Sequence, residues 1–300
     1  MGVLLSVLIA AAVSFFFPGV VLALQRFMGP SFAATMLLLG TLVRSEHRKS
    51  FRQAPLRPVV GLIGQYTIMP LAAWFTSLAF DDPALRIGIV LVGCMPGAMA
   101  SNVMTLFFGG DLILSITLTT LATLTCPVLL AFWLPLLADE RLAVPVRSLM
   151  WSAVWMVLLP AATGILFRKF IPYLPKWWDR MATLVASVVI VLIIMVVVAA
   201  NRGQLTETSQ FLMVALLILN MSAYGFAYVM GRLLGWPSVQ RKTLVIEVGM
   251  QNAGLGSVLA MDHLGPVAAI PSAFYTALCV VTVAMGLPLQ RRLAARGKMD

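Results

Sequence analysis

The sequence predicts an all-α membrane protein that crosses the bilayer many times. Of its 300 residues, 61% are hydrophobic and only 11% are charged, whereas an ordinary globular domain carries about 25% charged residues. The mean hydropathy is +0.97. Apolar runs that approach the ~20 residues a helix needs to cross a bilayer recur along the whole chain. This composition excludes a water-soluble domain.

Ten apolar segments follow one another, and the connections between them are mostly short. The second is the shortest, and each of the others has about the length of a transmembrane helix. Because few residues remain outside the segments, we expect one transmembrane domain over residues 1–300. The ten predicted helices are 3–23, 30–43, 58–80, 86–108, 112–137, 148–167, 181–200, 209–231, 239–261 and 267–290.

The basic residues indicate how the ten helices are oriented. Cytoplasmic loops of membrane proteins are enriched in Lys and Arg. With the N-terminus inside, sixteen of the 21 basic residues fall in inner loops or in the C-terminal tail. We therefore expect a multi-pass protein of the cell membrane with both termini in the cytoplasm. The net charge of +10 then reflects these loops, and we expect no nucleic-acid partner.

Two segments carry polar and helix-breaking residues in their interior. Residues 93–102 of segment four read GCMPGAMASN, and residues 247–254 of segment nine read EVGMQNAG. Pro96 removes a backbone donor and clashes with the preceding turn. Glu247 is the one carboxylate that falls neither in a loop nor at a membrane edge, and a charge at that depth costs roughly 2.5–3.5 kcal/mol. We expect both helices to be interrupted at these places.

The two interruptions occupy corresponding places in the two halves of the chain. Asn102 and Asn252 are 150 positions apart, half of the chain length. Because each half has an odd number of helices, the second half enters the membrane from the opposite side. This predicts an inverted repeat, with repeat one over about 1–140 and repeat two over about 146–292, and paired breaks of this kind mark transporter binding sites. Two unrelated kinks are the alternative, since Gly and Pro are common in membrane helices.

Oxygen-bearing side chains near the breaks suit a small hard cation such as sodium. Glu247 supplies a carboxylate, and interrupted helices expose backbone carbonyls that can bind a cation. Ser115 and Thr119 are four residues apart and share one helix face, although interhelical packing is an ordinary role for such hydroxyls. Gln65 is more costly to bury and is therefore more suggestive. For Asn220, an interhelical hydrogen bond and a place in a cavity lining are both open.

The remaining reactive residues indicate no other chemistry. The cysteines at 94, 126 and 279 lie far apart without metal-ligand or redox spacing, so we expect small buried hydrophobic residues and no transition metal. No cofactor motif is present. The paired carboxylates at 81–82 and 139–140 have no histidine or metal-spaced partner. They are predicted to lie in outer loops, and the protein is predicted not to be an enzyme.

Three motifs resemble the bile acid:sodium symporter family. They are PGAMASN at residues 96–102, GDLILSITLT at 110–119 and EVGMQNAGL at 247–255, of which the last is long and specific. The likeness covers nearly the whole chain and includes its length, its ten segments and the basic loop at 44–57. Where the family often has Gly-Gly-Thr or a similar run after the proline, this chain has Gly-Ala-Met.

The resemblance implies a core of helices 3–5 and 8–10, in which broken helices 4 and 9 cross, and a panel of helices 1, 2, 6 and 7. It also implies two sodium ions as coupling ions and no other cofactor. Site one would consist of Ser101, Asn102, Ser115, Thr119 and Glu247. Site two would consist of Gln65, Glu247, Gln251 and the backbone carbonyls of Val248 and Met250. The residues that face the substrate, an organic anion, would be Met99, Ala100, Asn252, Ala253 and Gly254.

The expected function is that of a sodium-coupled secondary active symporter that moves an organic anion across the lipid bilayer by alternating access. The anion would be bile acid-like or a small carboxylate such as pantoate. Three alternatives remain: a proton-coupled organic-anion carrier with Glu247 as the proton site, a membrane-embedded enzyme, and a channel or receptor.

Overall fold

The computed structural model covers most of the chain, and every regular element in the residues it describes is a helix. For residue 176 and for the stretches 205–209 and 287–295 the backbone alone is described. The described residues are 13–14, 16–43, 55–138, 144–171, 173–203 and 205–295.

The helices are numbered in chain order. A 3-10 turn over Gln25–Phe27 connects the first two helices, and a π-helical turn over Val154–Leu158 joins the helix that ends at Ala153 to the helix that begins at Leu159. The helices are α1 (Pro18–Leu22), α2 (Met28–Gly40), α3 (Leu56–Ser77), α4 (Pro83–Gly93), α5 (Ala100–Phe107), α6 (Leu112–Leu137), α7 (Val146–Ala153), α8 (Leu159–Phe170), α9 (Lys176–Asn201), α10 (Leu205–Leu233), α11 (Ser238–Gly249), α12 (Ala253–His263) and α13 (Pro266–Ala295).

The prediction of an all-helical polytopic membrane protein is confirmed in this coarse form. About half of the predicted segment 3–23 lies outside the described residues, and α2 begins two residues before the predicted 30–43 segment. Within the described residues, seven helical runs are long and apolar enough to cross a membrane. These runs are Pro18–Gly40, Leu56–Ser77, Leu112–Leu137, Val146–Phe170, Trp177–Asn201, Gln210–Leu233 and Pro266–Gly286.

Both predicted interruptions are present, and they meet. Segment four is divided into α4 and α5, and segment nine is divided into α11 and α12. The two breaks pair as an isolated antiparallel bridge between Gly97 and Gln251. On either side of it, Ala98 N donates to the Met250 carbonyl at 2.7 Å and Asn252 N donates to the carbonyl of residue 96 at 2.7 Å. Each break therefore satisfies backbone groups of the other, which irregular backbone at membrane depth requires.

The start of α6 is tied to α11. Asp111 is the N-cap of α6 and accepts a hydrogen bond from Leu114 N at 3.0 Å. Its own backbone N–H donates to Thr243 Oγ1 of α11 at 2.8 Å. Because Ser115 and Thr119 follow Asp111 at one-turn intervals, this tie presents both hydroxyls to the face of α11 that carries Glu247.

Two clusters of buried apolar side chains hold the helices together. One joins α2 and α9 to α12, with Phe32 and Ile193 among its members. The other joins α3 to α10 and α11 and includes Met69 and Leu244. Helices α4 and α13 contribute to both clusters. The three free cysteines are buried in them, as predicted: Cys94, Cys126 and Cys279.

Candidate ion-binding site at the helix crossing

Glu247 is a fully buried carboxylate whose hydrogen-bond partners are neutral hydroxyls. It lies in the last turn of α11, and its exposure is 0%. Its Oε1 lies 2.6 Å from Ser101 Oγ and within hydrogen-bonding distance of Ser115 Oγ. Its Oε2 accepts a hydrogen bond from Thr119 Oγ1 at 2.8 Å. Among the described residues no basic side chain bonds to it, so hydrogen bonds alone offset the cost of burying the charge.

The oxygens around Glu247 are more numerous than the protons that could bridge them. Asn102 Oδ1 lies 2.8 Å from Ser115 Oγ and 3.5 Å from Thr119 Oγ1. A hydroxyl donates only one proton, so Ser115 cannot bridge to both the carboxylate and the Asn102 carbonyl. Neither of those two oxygens carries a proton of its own when Glu247 is ionised. Convergent oxygens of this kind suit a hard cation, which takes oxygen ligands.

A second polar group is centred on Gln65 of α3, which is 1% exposed. Gln65 Nε2 donates to Gln251 Oε1 at 3.4 Å, and Gln251 Nε2 donates to the Val248 carbonyl at 2.7 Å. Gln65 Oε1 is buried and has no hydrogen-bond partner. An unpaired buried acceptor costs about 1–3 kcal/mol. Its presence here makes Gln65 Oε1 a candidate ligand for a cation.

Gly97 lies between the two polar groups. A Cβ built at this position would lie 2.9 Å from Glu247 Oε2 and 3.6 Å from Gln65 Nε2. A side chain would therefore press against the carboxylate, whereas glycine lets the backbone of the first break approach both groups. The predicted cation ligands, from four helices and the second break, thus meet at one crossing.

The predicted anion-facing residues of the first break lie at the start of α5. Met99 is half-buried, and its Sδ lies 3.8 Å from Asn102 Nδ2. Ala100 is exposed at the first position of the helix. The positive end of a helix dipole at such a helix start favours an anion.

The corresponding residues of the second break lie at the start of α12. Asn252 is the N-cap and is half-buried, whereas Ala253 and Gly254 are buried. A Cβ at Gly254 would lie 3.8 Å from Phe32 of α2 and 3.9 Å from Ile193 of α9. This helix start therefore faces apolar side chains of α2 and α9, and an anion there would need an apolar part that packs against them.

Two hydroxyls at the crossing were not predicted from the sequence. Thr105 Oγ1 is buried 3.2 Å from Ser115 Oγ, and Thr243 bonds to the backbone of Asp111. Thr105 lies one turn after Asn102, and Thr243 lies one turn before Glu247. Helical spacing from a residue already singled out was therefore the signal that could have identified both.

A model of the sodium bile acid symporter family matches residues 30–208, more than half of the chain. The chain belongs to this family. One relative is an uncharacterised sodium-dependent transporter, YocS, of Bacillus subtilis, 33% identical over 271 residues that cover 90% of this chain and 84% of the relative. Another is the probable chloroplastic sodium/metabolite cotransporter BASS1 of Arabidopsis thaliana, 30% identical over 80% of this chain and 60% of the relative. The human ileal sodium/bile acid cotransporter is 27% identical over 78% of this chain and 68% of the relative.

Membership makes this chain a sodium-dependent transporter and not an enzyme, with Na⁺ as its coupling ion. The long apolar helices are those that lie in the lipid bilayer in such a transporter. Among the described residues, Glu247 is the fully buried carboxylate at this crossing.

Proposed function

We propose that the protein is a symporter that couples sodium entry to the uptake of an organic anion by alternating access. The observation that carries this proposal is the environment of Glu247: a fully buried carboxylate ringed by neutral oxygens. A sodium ion bound there would neutralise the charge and satisfy the oxygens that the available protons leave unbridged. The anion is a bile acid-like molecule or a small carboxylate such as pantoate.

Sodium binds at two places that share Glu247. Site one lies where α5 and α6 meet α11, and its support is a set of hydroxyl, amide and carboxylate oxygens, each within 3.5 Å of at least one other. Site two lies at the end of α11, and its support is the unpaired Gln65 Oε1. The Gln251 amide nitrogen now faces the Val248 carbonyl. If the amide rotated by half a turn, its oxygen would face that carbonyl instead, and both oxygens could bind the cation. Which orientation an amide adopts is assigned from its hydrogen bonds. The proposed ligands are Ser101, Asn102, Ser115, Thr119 and Glu247 for site one, and Gln65, Glu247, Val248, Met250 and Gln251 for site two.

The architecture proposed for this function is a ten-helix inverted repeat with both termini in the cytoplasm of a bacterial inner membrane. The 150-residue offset between Asn102 and Asn252 supports it, as does the antiparallel pairing of the two breaks. The crossing would belong to a core of helices 3–5 and 8–10, and a panel of helices 1, 2, 6 and 7 would move against it. The sign of the loop charges supports the orientation.

The anion binds between the two half-helix starts and the panel. The N-termini of α5 and α12 carry the positive ends of their helix dipoles, which favour a carboxylate. The apolar side chains of Phe32 and Ile193, close to Gly254, support an anion with an apolar body. Met99, Ala100, Asn252, Ala253 and Gly254 are the proposed contacts. With two sodium ions and a monovalent anion, one net positive charge enters per cycle, and the membrane potential contributes about 2.3 kcal/mol per 100 mV.

Uptake into proteoliposomes tests the proposal. Vesicles holding the full-length protein are given radiolabelled taurocholate or pantoate under an inward sodium gradient, an inward potassium gradient, or a pH gradient without sodium. Accumulation under the sodium gradient alone is the expected result. Equal uptake under the sodium and potassium gradients would refute sodium coupling, and accumulation driven by the pH gradient would favour the proton-coupled carrier.

A further inference from the structure

A third buried polar cluster lies at the end of α11, apart from the hydroxyls around Glu247 and from the group centred on Gln65. Asn220 of α10 donates through Nδ2 to the Gly249 carbonyl at 2.8 Å and to Tyr275 Oη at 2.9 Å. Tyr275 of α13 donates through its hydroxyl to the same Gly249 carbonyl at 2.9 Å. Asn220 and Tyr275 are both 0% exposed. One backbone carbonyl thus accepts two hydrogen bonds from two different helices.

The orientation of the Asn220 amide is set by a third side chain. Thr282 Oγ1 lies 2.6 Å from Asn220 Oδ1 and 3.1 Å from the Cys279 carbonyl of its own helix, and its one proton is donated along the shorter contact, to Asn220. Since this bond occupies the amide oxygen, the amide nitrogen must face Gly249 and Tyr275. The Tyr224 hydroxyl lies 3.2 Å from Thr282 Oγ1, and the ring of Tyr224 packs directly on Gly249.

The cluster turns one carbonyl away from the crossing while its neighbours face toward it. Gly249 stands between Val248 and Met250 at the point where α11 ends. The Val248 carbonyl accepts from Gln251 Nε2 at 2.7 Å, and the Met250 carbonyl accepts from Ala98 N at 2.7 Å across the two breaks. A helix end leaves carbonyls without intrahelical partners, so groups outside the helix decide where each of them points.

We propose that Asn220, Tyr275 and Thr282 are positioning residues of sodium site two. By holding the Gly249 carbonyl on the side of α10 and α13, they fix the backbone angles that aim the Val248 and Met250 carbonyls at the cation. None of the three is a ligand of the ion. Asn220 and Tyr275 act through the Gly249 carbonyl, and Thr282 acts through the amide of Asn220. This inference rests on the proposed function, because it presupposes that sodium binds at site two.

Positioning and a merely structural role have different consequences. If the cluster only packs three helices together, removing one hydroxyl lowers the thermal stability and leaves the affinity for sodium unchanged. If it aims the carbonyls, removing the hydroxyl raises the sodium concentration needed for half-saturation. Loss of one buried neutral hydrogen bond corresponds to roughly a three- to tenfold change in binding.

Binding of radioactive sodium to the purified full-length protein in detergent tests the inference, with potassium as the balancing ion. Thr282→Val keeps the shape but removes the donor to Asn220, and its half-saturation for site two should rise roughly three- to tenfold. Thr282→Ser restores the hydroxyl and should restore the affinity. Ser222→Ala is the control, because it removes a hydroxyl from the same helix as Asn220 whose hydrogen bond goes to the Leu219 carbonyl, and its half-saturation should equal that of the wild type.

Tyr275→Phe is a second variant that keeps the test decisive if Thr282→Val does not insert. It removes one of the two donors to Gly249 and leaves the other. Wild-type half-saturation in Thr282→Val and Tyr275→Phe, whatever their thermal stability, would overturn the positioning role. A wild-type protein that binds no radioactive sodium would instead overturn the proposed function, and the two failures are thereby distinguished.

Discussion

Replacing Glu247 with glutamine removes one negative charge from the crossing and keeps the size of the side chain. Unit charges 4 Å apart attract by about 4 kcal/mol at an effective dielectric constant of 20. A change of 1.4 kcal/mol is tenfold in affinity, so sodium affinity should fall about a thousandfold. Both proposed sites share this carboxylate, and we therefore expect both to fail together.

The same substitution should leave the folded protein intact. An amide both accepts and donates, so Ser101 and Ser115 can still donate to its oxygen while Thr119 accepts from its nitrogen. The variant also buries no charge, and in a potassium buffer its unfolding temperature should equal or exceed that of the wild type. A loss of sodium binding without a loss of stability separates an ion ligand from a structural residue.

Thermal unfolding in detergent measures both effects, with sodium chloride replacing potassium chloride at constant ionic strength. Ligand binding stabilises the native state by about 2.7 kcal/mol at a concentration a hundred times the dissociation constant, so the wild-type midpoint should rise with sodium. The midpoint of Glu247→Gln should stay flat, and that of Asp262→Asn, an exposed acid at the end of α12, should rise as in the wild type. A sodium-dependent rise in Glu247→Gln equal to the wild-type rise would refute the assignment.

Three further substitutions separate the parts of the crossing. Gln65→Ala removes the unpaired amide oxygen but none of the hydroxyls around Glu247, so the binding isotherm of radioactive sodium should lose one of its two components; an unchanged isotherm would contradict the role of Gln65. Gly97→Ala places a methyl group 2.9 Å from Glu247 Oε2, and this overpacking should weaken sodium binding roughly tenfold. Its control, Gly225→Ala, has nothing within 4 Å and should bind sodium normally. Thr243→Val breaks the tie to the start of α6 and should lower the free energy of unfolding by about 1 kcal/mol, with an unchanged unfolding midpoint as the contrary result.

The interruptions could be predicted from the sequence because their causes are local. Pro96 and the glycines around both breaks act on the backbone of their own helix, and Glu247 is conspicuous in an apolar run. The predicted positions of the helix ends were less accurate. Segment four was predicted from residue 86, but α4 begins at Pro83. The signal was present, since Asp82 caps this helix and proline is favoured at its first position.

The pairing of side chains across the crossing could not be derived from spacing. Thr119 and Glu247 are 128 residues apart. The periodicity of each helix predicts which face is buried, but it does not predict which residue of another helix contacts that face. The resemblance to a known family supplied that pairing. Asn220 shows the same limit: the sequence left its role open, and its partner Tyr275 lies in an apolar run with nothing to distinguish it from packing. Only the fold brings Gly249 between the two.

The position of Glu247 explains why anion uptake would require sodium in the proposed function. Ala100 begins α5, and the next residue, Ser101, is already bonded to Glu247 at 2.6 Å. A substrate carboxylate about 8 Å from an ionised Glu247 would be repelled by about 2 kcal/mol at an effective dielectric constant of 20. The two helix N-termini together typically contribute about 0.6–2 kcal/mol toward binding an anion. Repulsion therefore offsets most or all of that attraction until a cation neutralises the carboxylate, which favours binding of sodium before the anion.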